Sequence, residues 1–210
     1  MSNLLNKHEI QAIAEQVNFP NTAFINGKFG AAKSGKTFAT INPATGETLT
    51  RIAACDAVDV DLAVAKGRKA FNSGIWSKMH PTDRKSTMIK LAKLLTRHCN
   101  ELAVLESLES GKPIKDCLEI DVPETIQCLL WHAEATDKIY DQISPSGEAA
   151  LGMIVREPAG VVSCVLPWNF PLMMLAWKLG PALASGNSVI VKPAELTSMT
   201  ALKVAALAVE

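Results

Sequence analysis

Two short polar clusters in this 210-residue sequence follow apolar runs, and both are of kinds that can hold a ligand. The first is Asn169, within Leu166-Pro167-Trp168-Asn169-Phe170-Pro171. A side-chain amide held between a proline and bulky neighbours is a good donor to an oxygen on which negative charge develops. Placed directly before a helical stretch, the same asparagine equally suits a helix N-cap. The second cluster is Lys192-Pro193-Ala194-Glu195. An ammonium donor and a carboxylate acceptor together can hold the hydroxyls of a nucleotide ribose, and the carboxylate repels a 2′-phosphate, which favours NAD over NADP. A solvated charged turn ahead of the next helix accounts for those residues as well. No GxGxxG fingerprint follows the first buried strand, and Gly152 and Gly160 do not create one.

No nucleophile stands out. The five cysteines are Cys55, Cys99, Cys117, Cys128 and Cys164. Cys164 lies inside an apolar run and reads as inert core, because a reactive thiol needs a partly exposed, electropositive setting. Cys117 and Cys128 lie beside or within a helix with no evident base nearby. The odd count and the lack of a CxxC pair fit reduced thiols in the cytoplasm better than a secreted disulfide framework. Four scattered histidines without HxxxH spacing give no zinc site. Lys plus Arg and Asp plus Glu both total 21, so the basic excess of a nucleic-acid binder is missing. No stretch reaches the roughly 18 uninterrupted apolar residues of a membrane span. The amino terminus lacks the apolar core of a signal peptide. The expected partner is therefore a small molecule, with no nucleic acid, no membrane and no metal.

The elements that must position these clusters are legible from periodicity. Hydrophobic residues at 48% and charged residues at 20% are enough for a sizeable core. An amphipathic helix with Ile10, Ile13 and Val17 on one side opens the chain. Asn26-Gly27 signals a hairpin, and Thr37–Ile41 with Thr48–Ala53 reads as a second one around Asn42-Pro43-Ala44-Thr45-Gly46. Asp56 caps a helix over 56–71. A long helix starts at His80-Pro81-Thr82, kinks near His98 to Asn100 and stops at Gly111 and Pro113. A third spans 122–140, with Ile126, Leu129, Leu130 and Ala133 buried. A strand over 150–156 follows.

The run 160–166 is nearly all β-branched, which suits a strand covered on both faces of a parallel sheet. A helix over 170–184 and a strand over 188–191 complete a βαβ unit, so both polar clusters should leave the sheet at one edge, where open α/β sheets bind ligands. Phe170, Met174 and Trp177 share one helical face, for which core packing is the ordinary role and a tunnel lining the alternative. The last helix, from Thr197-Ser198 to Glu210, carries no stop signal, and a further strand is expected after it.

The sequence resembles the amino-terminal part of the NAD(P)-dependent aldehyde dehydrogenase superfamily. The resemblance runs from Phe24-Ile25-Asn26-Gly27 through Glu109-Ser110-Gly111-Lys112-Pro113 to the last helix. Its most specific portions are Glu157-Pro158-Ala159-Gly160-Val161, Pro167-Trp168-Asn169-Phe170-Pro171, Trp177-Lys178-Leu179-Gly180-Pro181 and Lys192-Pro193-Ala194-Glu195. It implies an α/β fold, an incomplete Rossmann-like coenzyme-binding domain with a helical and β-hairpin amino-terminal portion. That division places the helical and hairpin part at 1–143, an oligomerisation arm at 144–157 and the first βαβ part at 158–210.

It also implies roles: Asn169 as the oxyanion donor; Lys192 and Glu195 on the adenosine ribose; Val165, Leu166, Pro167 and Trp168 along the cofactor; Phe170, Met174 and Trp177 along the aldehyde tunnel. In this family a cysteine thiolate attacks the aldehyde, hydride passes to NAD (NADP being possible), and a glutamate-activated water hydrolyses the thioester. That cysteine and glutamate fall beyond position 210 of the family pattern, so no turnover is expected of these residues alone. Homo-oligomers are implied. The sequence looks most like the bacterial γ-glutamyl-γ-aminobutyraldehyde dehydrogenase branch, on Met153-Ile154-Val155-Arg156-Glu157-Pro158.

Overall fold

A computed structural model describes residues 6–210; the opening five residues of the first expected helix lie outside it. Helix α1 (Lys7–Gln16) starts at Asn6, which exchanges bonds with Glu9: the Glu9 N–H donates to Asn6 Oδ1 (3.0 Å) and the Asn6 N–H to Glu9 Oε2 (2.7 Å). Strands β1 (Ala23–Ile25) and β2 (Lys28–Gly30) form the hairpin expected at Asn26-Gly27, whose φ angles are 55° and 75°. These are the paired positive values of a tight two-residue turn. Strands β3 (Thr37–Ile41) and β4 (Thr48–Ala53) form the second antiparallel pair.

Asp56 caps α2 (Ala57–Ser73), which Gly74 closes in the left-handed conformation. The next helical stretch is two helices, α3 (Pro81–Arg97) and α4 (Cys99–Ser110). His98, at φ −100° and ψ 17°, breaks the run where a kink was expected. Gly111 then turns the chain at φ 75°, and a Cβ there would sit 2.7 Å from Pro43 Cγ. Both the backbone angle and the space demand glycine.

Between this turn and α6 (Val122–Ala135) lie a short α5 (Ile114–Asp116) and one wide π-helical turn (Cys117–Asp121), neither of which the sequence pattern announces. Helix α6 ends earlier than 140: past Ala135 the backbone tightens into three-residue turns, the Thr136 N–H donating to the Ala133 carbonyl (3.2 Å) and the Lys138 N–H to the Ala135 carbonyl (3.0 Å). Strands β5 (Gln142–Ser144) and β6 (Gly152–Ile154) pair as a short antiparallel arm, briefer than the strand read over 150–156. The βαβ unit follows as β7 (Val161–Val165), α7 (Pro171–Ala184) and β8 (Ser188–Lys192), and α8 (Met199–Leu207) comes last.

Strands β7 and β8 are parallel, with Val161 opposite Ser188 and Val165 opposite Lys192. Alternation puts Val162, Cys164, Leu166, Val189 and Val191 on one face. That face packs on Leu172, Leu175 and Ala176 of α7, Leu102 and Ala103 of α4, Leu129 of α6, and Val204 and Leu207 of α8. Burying a leucine here stabilises the fold by about 2–3 kcal/mol.

The expectation of a strand covered on both faces holds only in part. Helix α2 meets the opposite face at its starting end, where a Cβ on Gly67 would lie 3.3 Å from Val161 and 3.9 Å from Ser188. Further along that face Ser163 and Val165 are exposed, Val165 at 57%. The strand ends are thus bare on one side.

Arg84 locks the far end of α7. Its guanidinium donates to the carbonyls of Ala184 (3.0 Å), Met79 (3.2 Å) and Trp76 (3.4 Å). Asn187 accepts from the Gly160 N–H (2.9 Å) and donates to the Ala182 carbonyl (3.2 Å), so the starts of β7 and β8 are fixed side by side.

Candidate functional site at the carboxyl edge of the parallel strands

The hydrogen-bond ladder continues one step past β7, where the Leu166 N–H donates to the Lys192 carbonyl at 3.0 Å. Both strand-end loops therefore leave the sheet at the same level and on the same edge. From β7 come Pro167, Trp168, Asn169 and Phe170; from β8 come Lys192, Pro193, Ala194 and Glu195. The Leu166 side chain is buried in the core, so a ligand at this edge meets only its main chain. Val165 and Trp168, the latter 61% exposed, present apolar surface instead.

Asn169 is not the cap of α7. Phe170 occupies that position with no side-chain cap bond, and Pro171 supplies a first helical residue that has no N–H to satisfy. The exposed Asn169 side chain is thus not engaged at the helix start. Of the Phe170, Met174 and Trp177 set, Met174 is half-buried while Phe170 and Trp177 are 37% and 56% exposed. Leu172, Leu175 and Leu179 take the core-facing side of α7, so these other three form a separate, open apolar strip. Core packing does not explain them.

Lys192 and Glu195 form an exposed ion pair at 2.5 Å. The hydrogen bond from Lys192 holds the Glu195 carboxyl below its ordinary range, so it is an anion at neutral pH. Exposure of both groups makes the pair itself nearly neutral for stability.

Several buried polar groups behind the edge were not singled out from the sequence for a role. Glu106 and Glu109 lie one turn apart on α4, both buried. Glu106 Oε1 accepts from the Leu172 N–H at 3.3 Å, at the start of α7, while its Oε2 has no partner. Burial pushes the Glu106 carboxyl up to about 8 against the pull of that N–H, and nearby Asp121 adds to the rise. Glu109 accepts from the Ser198 N–H (2.7 Å), the Met199 N–H (2.8 Å to Oε2) and Thr40 Oγ1 (3.3 Å). Burial still outweighs those donors and lifts it to about 7. Lys112 pairs with buried Asp121 and sets its ammonium 3.8 Å from the Phe170 ring centroid, a cation–π contact beside Asn169. The available signal was two acids spaced i, i+3 with Leu102, Leu105 and Leu108 around them, where a solvated face would place no leucines.

None of the thiols with a resolved shift is activated. Burial pushes Cys117 up to about 12 and raises Cys164, Cys128 and Cys55 as well. Cys128 does have a ring nitrogen near it, contrary to the expectation, with His132 Nδ1 3.6 Å from its sulfur. The same nitrogen lies 2.9 Å from the Cys128 carbonyl, where it must carry a proton to bond, so it cannot act as a base.

The chain is similar to known proteins over almost its whole length. A chain named aminoacetaldehyde dehydrogenase from Pseudomonas aeruginosa is 59% identical over 99% of this chain and 42% of its own length. The solved structure of a mutant indole-3-acetaldehyde dehydrogenase of P. syringae, in complex with NAD+ and IAA, superposes with a TM-score of 0.96. Its identity is 47%, over 98% of this chain and 41% of that one. The γ-glutamyl-γ-aminobutyraldehyde dehydrogenase of Burkholderia cenocepacia gives a TM-score of 0.95 and 43% identity, over 97% of this chain and 41% of that one. This chain thus spans about two fifths of the length of these relatives. The model of the aldehyde dehydrogenase family matches residues 29–210, and the chain belongs to that family.

Proposed function

We propose that these residues form the nucleotide-holding and oxyanion-stabilising part of an NAD-dependent aldehyde dehydrogenase. The observation that carries this is the parallel register of Val165 with Lys192, which delivers Asn169 and the Lys192–Glu195 pair to one edge. Glu195 accepts from the adenosine ribose hydroxyls and Lys192 donates to them. Val165, Pro167 and Trp168 line the cofactor with apolar surface, and Leu166 contributes main chain. The bare strip beside α2 fits a flat ring, and the anionic Glu195 disfavours a 2′-phosphate, so NAD is preferred and NADP tolerated. Bound NAD supplies the hydride acceptor.

Asn169 donates its amide N–H to the aldehyde oxygen as that oxygen becomes negative, the arrangement most effective when the donor is fixed beforehand. Phe170, Met174 and Trp177 guide the aldehyde. The raised thiols of Cys55, Cys117, Cys128 and Cys164 are poor nucleophiles, so attack on the carbonyl is assigned to none of these four. The likeness to enzymes named for aminoacetaldehyde and γ-glutamyl-γ-aminobutyraldehyde favours a nitrogen-bearing aldehyde.

In this reading residues 1–143 brace the site, 144–157 form an oligomerisation arm and 158–210 carry the nucleotide edge, in a cytoplasmic homo-oligomer. Exposed Ile143, Leu151, Met153 and Ile154 give the arm an apolar surface. That same surface supports a second reading, a non-catalytic chain that binds nucleotide weakly and joins full-length subunits through the arm. Titration calorimetry of the chain with NAD tests the first reading. Saturable binding that Glu195→Ala abolishes is expected; heats no larger than dilution would refute it. Co-purification with a full-length homologue, lost when Met153 and Ile154 become serine, would select the second.

A further inference from the structure

We propose that Glu109 is a positioning residue of the nucleotide site: from α4 its carboxylate grips the main chain just after Glu195 and so holds the ribose-binding loop in place. The inference rests on the assignment of Lys192 and Glu195 to a ribose.

The loop between β8 and α8 has few other restraints. At its start the Lys192 carbonyl is held by the Leu166 N–H, and within it the Thr197 N–H bonds to the Ala194 carbonyl at 3.1 Å. Glu195 and Leu196 between them are exposed. At its end α8 has no cap of its own. Ser198 occupies the N-cap position without a side-chain bond, and the buried hydroxyls of Thr197, Ser198 and Thr200 lack partners. The Ser198 and Met199 N–H groups would therefore be orphaned in a buried place, were it not for Glu109, which arrives from about 90 residues earlier at 2.7 and 2.8 Å.

A carboxylate at a helix start satisfies the free donors and the positive end of the helix together. Thr40 Oγ1, donating to the same carboxylate from β3 at 3.3 Å, fixes where it stands. Glu109 thus ties β3, α4 and the start of α8 together at a point three residues after Glu195. With the grip lost, the loop samples other positions, and apparent affinity falls by the fraction of time spent in place.

The test is titration calorimetry of the whole chain with ADP and with 2′,3′-dideoxy-ADP, which lacks the hydroxyls in question. The wild type should prefer ADP at least about tenfold, equivalent to ~1.4 kcal/mol. In Glu109→Gln the preference should fall close to one, because an amide directs an N–H at backbone donors. A variant that is merely less stable would bind less in total yet keep the preference in its folded fraction. Retention of the tenfold preference in Glu109→Gln overturns the proposal. Should that variant fail to fold, Thr40→Val decides: a reduced preference supports the proposal and an unchanged one overturns it. No preference in the wild type removes the ribose assignment itself and the inference with it, an outcome separate from the other two.

Discussion

Replacing Glu106 by glutamine should make the protein more stable at pH 8 and leave it unchanged at pH 5. The carboxyl is fully buried, has one long bond to the Leu172 N–H, leaves Oε2 without a partner, and is lifted to about 8 from an ordinary 4.5. The charged groups that act on it are Asp121, which raises it, and Lys112, which lowers it. In the unfolded chain the carboxyl loses its proton near its ordinary value, whereas the folded chain keeps it to about 8. The folded state therefore holds the extra proton between those limits, and stability falls as pH rises through them.

One proton costs ~1.4 kcal/mol per pH unit, so from pH 5 to 7 this group alone removes up to about 3 kcal/mol. Glu109, lifted to about 7, acts in the same direction. Glutamine mimics the protonated acid: its carbonyl oxygen still accepts from Leu172, and nothing remains to titrate. Urea unfolding at pH 5, 6, 7 and 8 should show the wild type losing about twice as much stability as Glu106→Gln. Identical slopes for the two proteins, or a variant less stable at pH 8, would refute the reasoning.

Three further outcomes follow from the packing. Arg84→Met leaves the carbonyls of Ala184, Met79 and Trp76 short of a buried donor and should cost about 2–4 kcal/mol in denaturant unfolding; a loss below ~1 kcal/mol would mean that water replaces the guanidinium. Gly111→Ala forces a methyl to within 2.7 Å of Pro43 at φ 75° and should lower stability by at least ~1–2 kcal/mol, with an unchanged thermal midpoint as the contrary result. Asn169→Ala should shift stability by less than ~0.5 kcal/mol, since the side chain caps nothing, and a measured loss above ~1 kcal/mol would restore the cap role.

The hairpins at Asn26-Gly27 and 41–48, the Asp56 cap and the βαβ unit were legible because each depends on local chemistry: positive φ, a side-chain acceptor, or an unbroken β-branched run. The π-helical turn at Cys117–Asp121 was not, because nothing in its composition distinguishes it from ordinary helix. The edge carrying Asn169, Lys192 and Glu195 could be placed from the strand pattern alone, since parallel strands leave no choice of side. Its supports could not. Glu109 reaches Ser198 and Met199, and Lys112 reaches Phe170, through contacts that only the tertiary fold creates. For Asn169 the local pattern pointed toward a cap, and the proline at the first helical position, by removing an N–H, took away the need for one.

Helix α2 covers the starting end of the parallel strands and leaves Val165 bare, and this leaves a thermodynamic signature. Surface such as that of Val165 stays hydrated until a planar group settles on it. Removing hydrated apolar area lowers heat capacity. Adenine nucleotide association at this shelf should therefore grow more exothermic on warming, whatever its enthalpy at a single temperature.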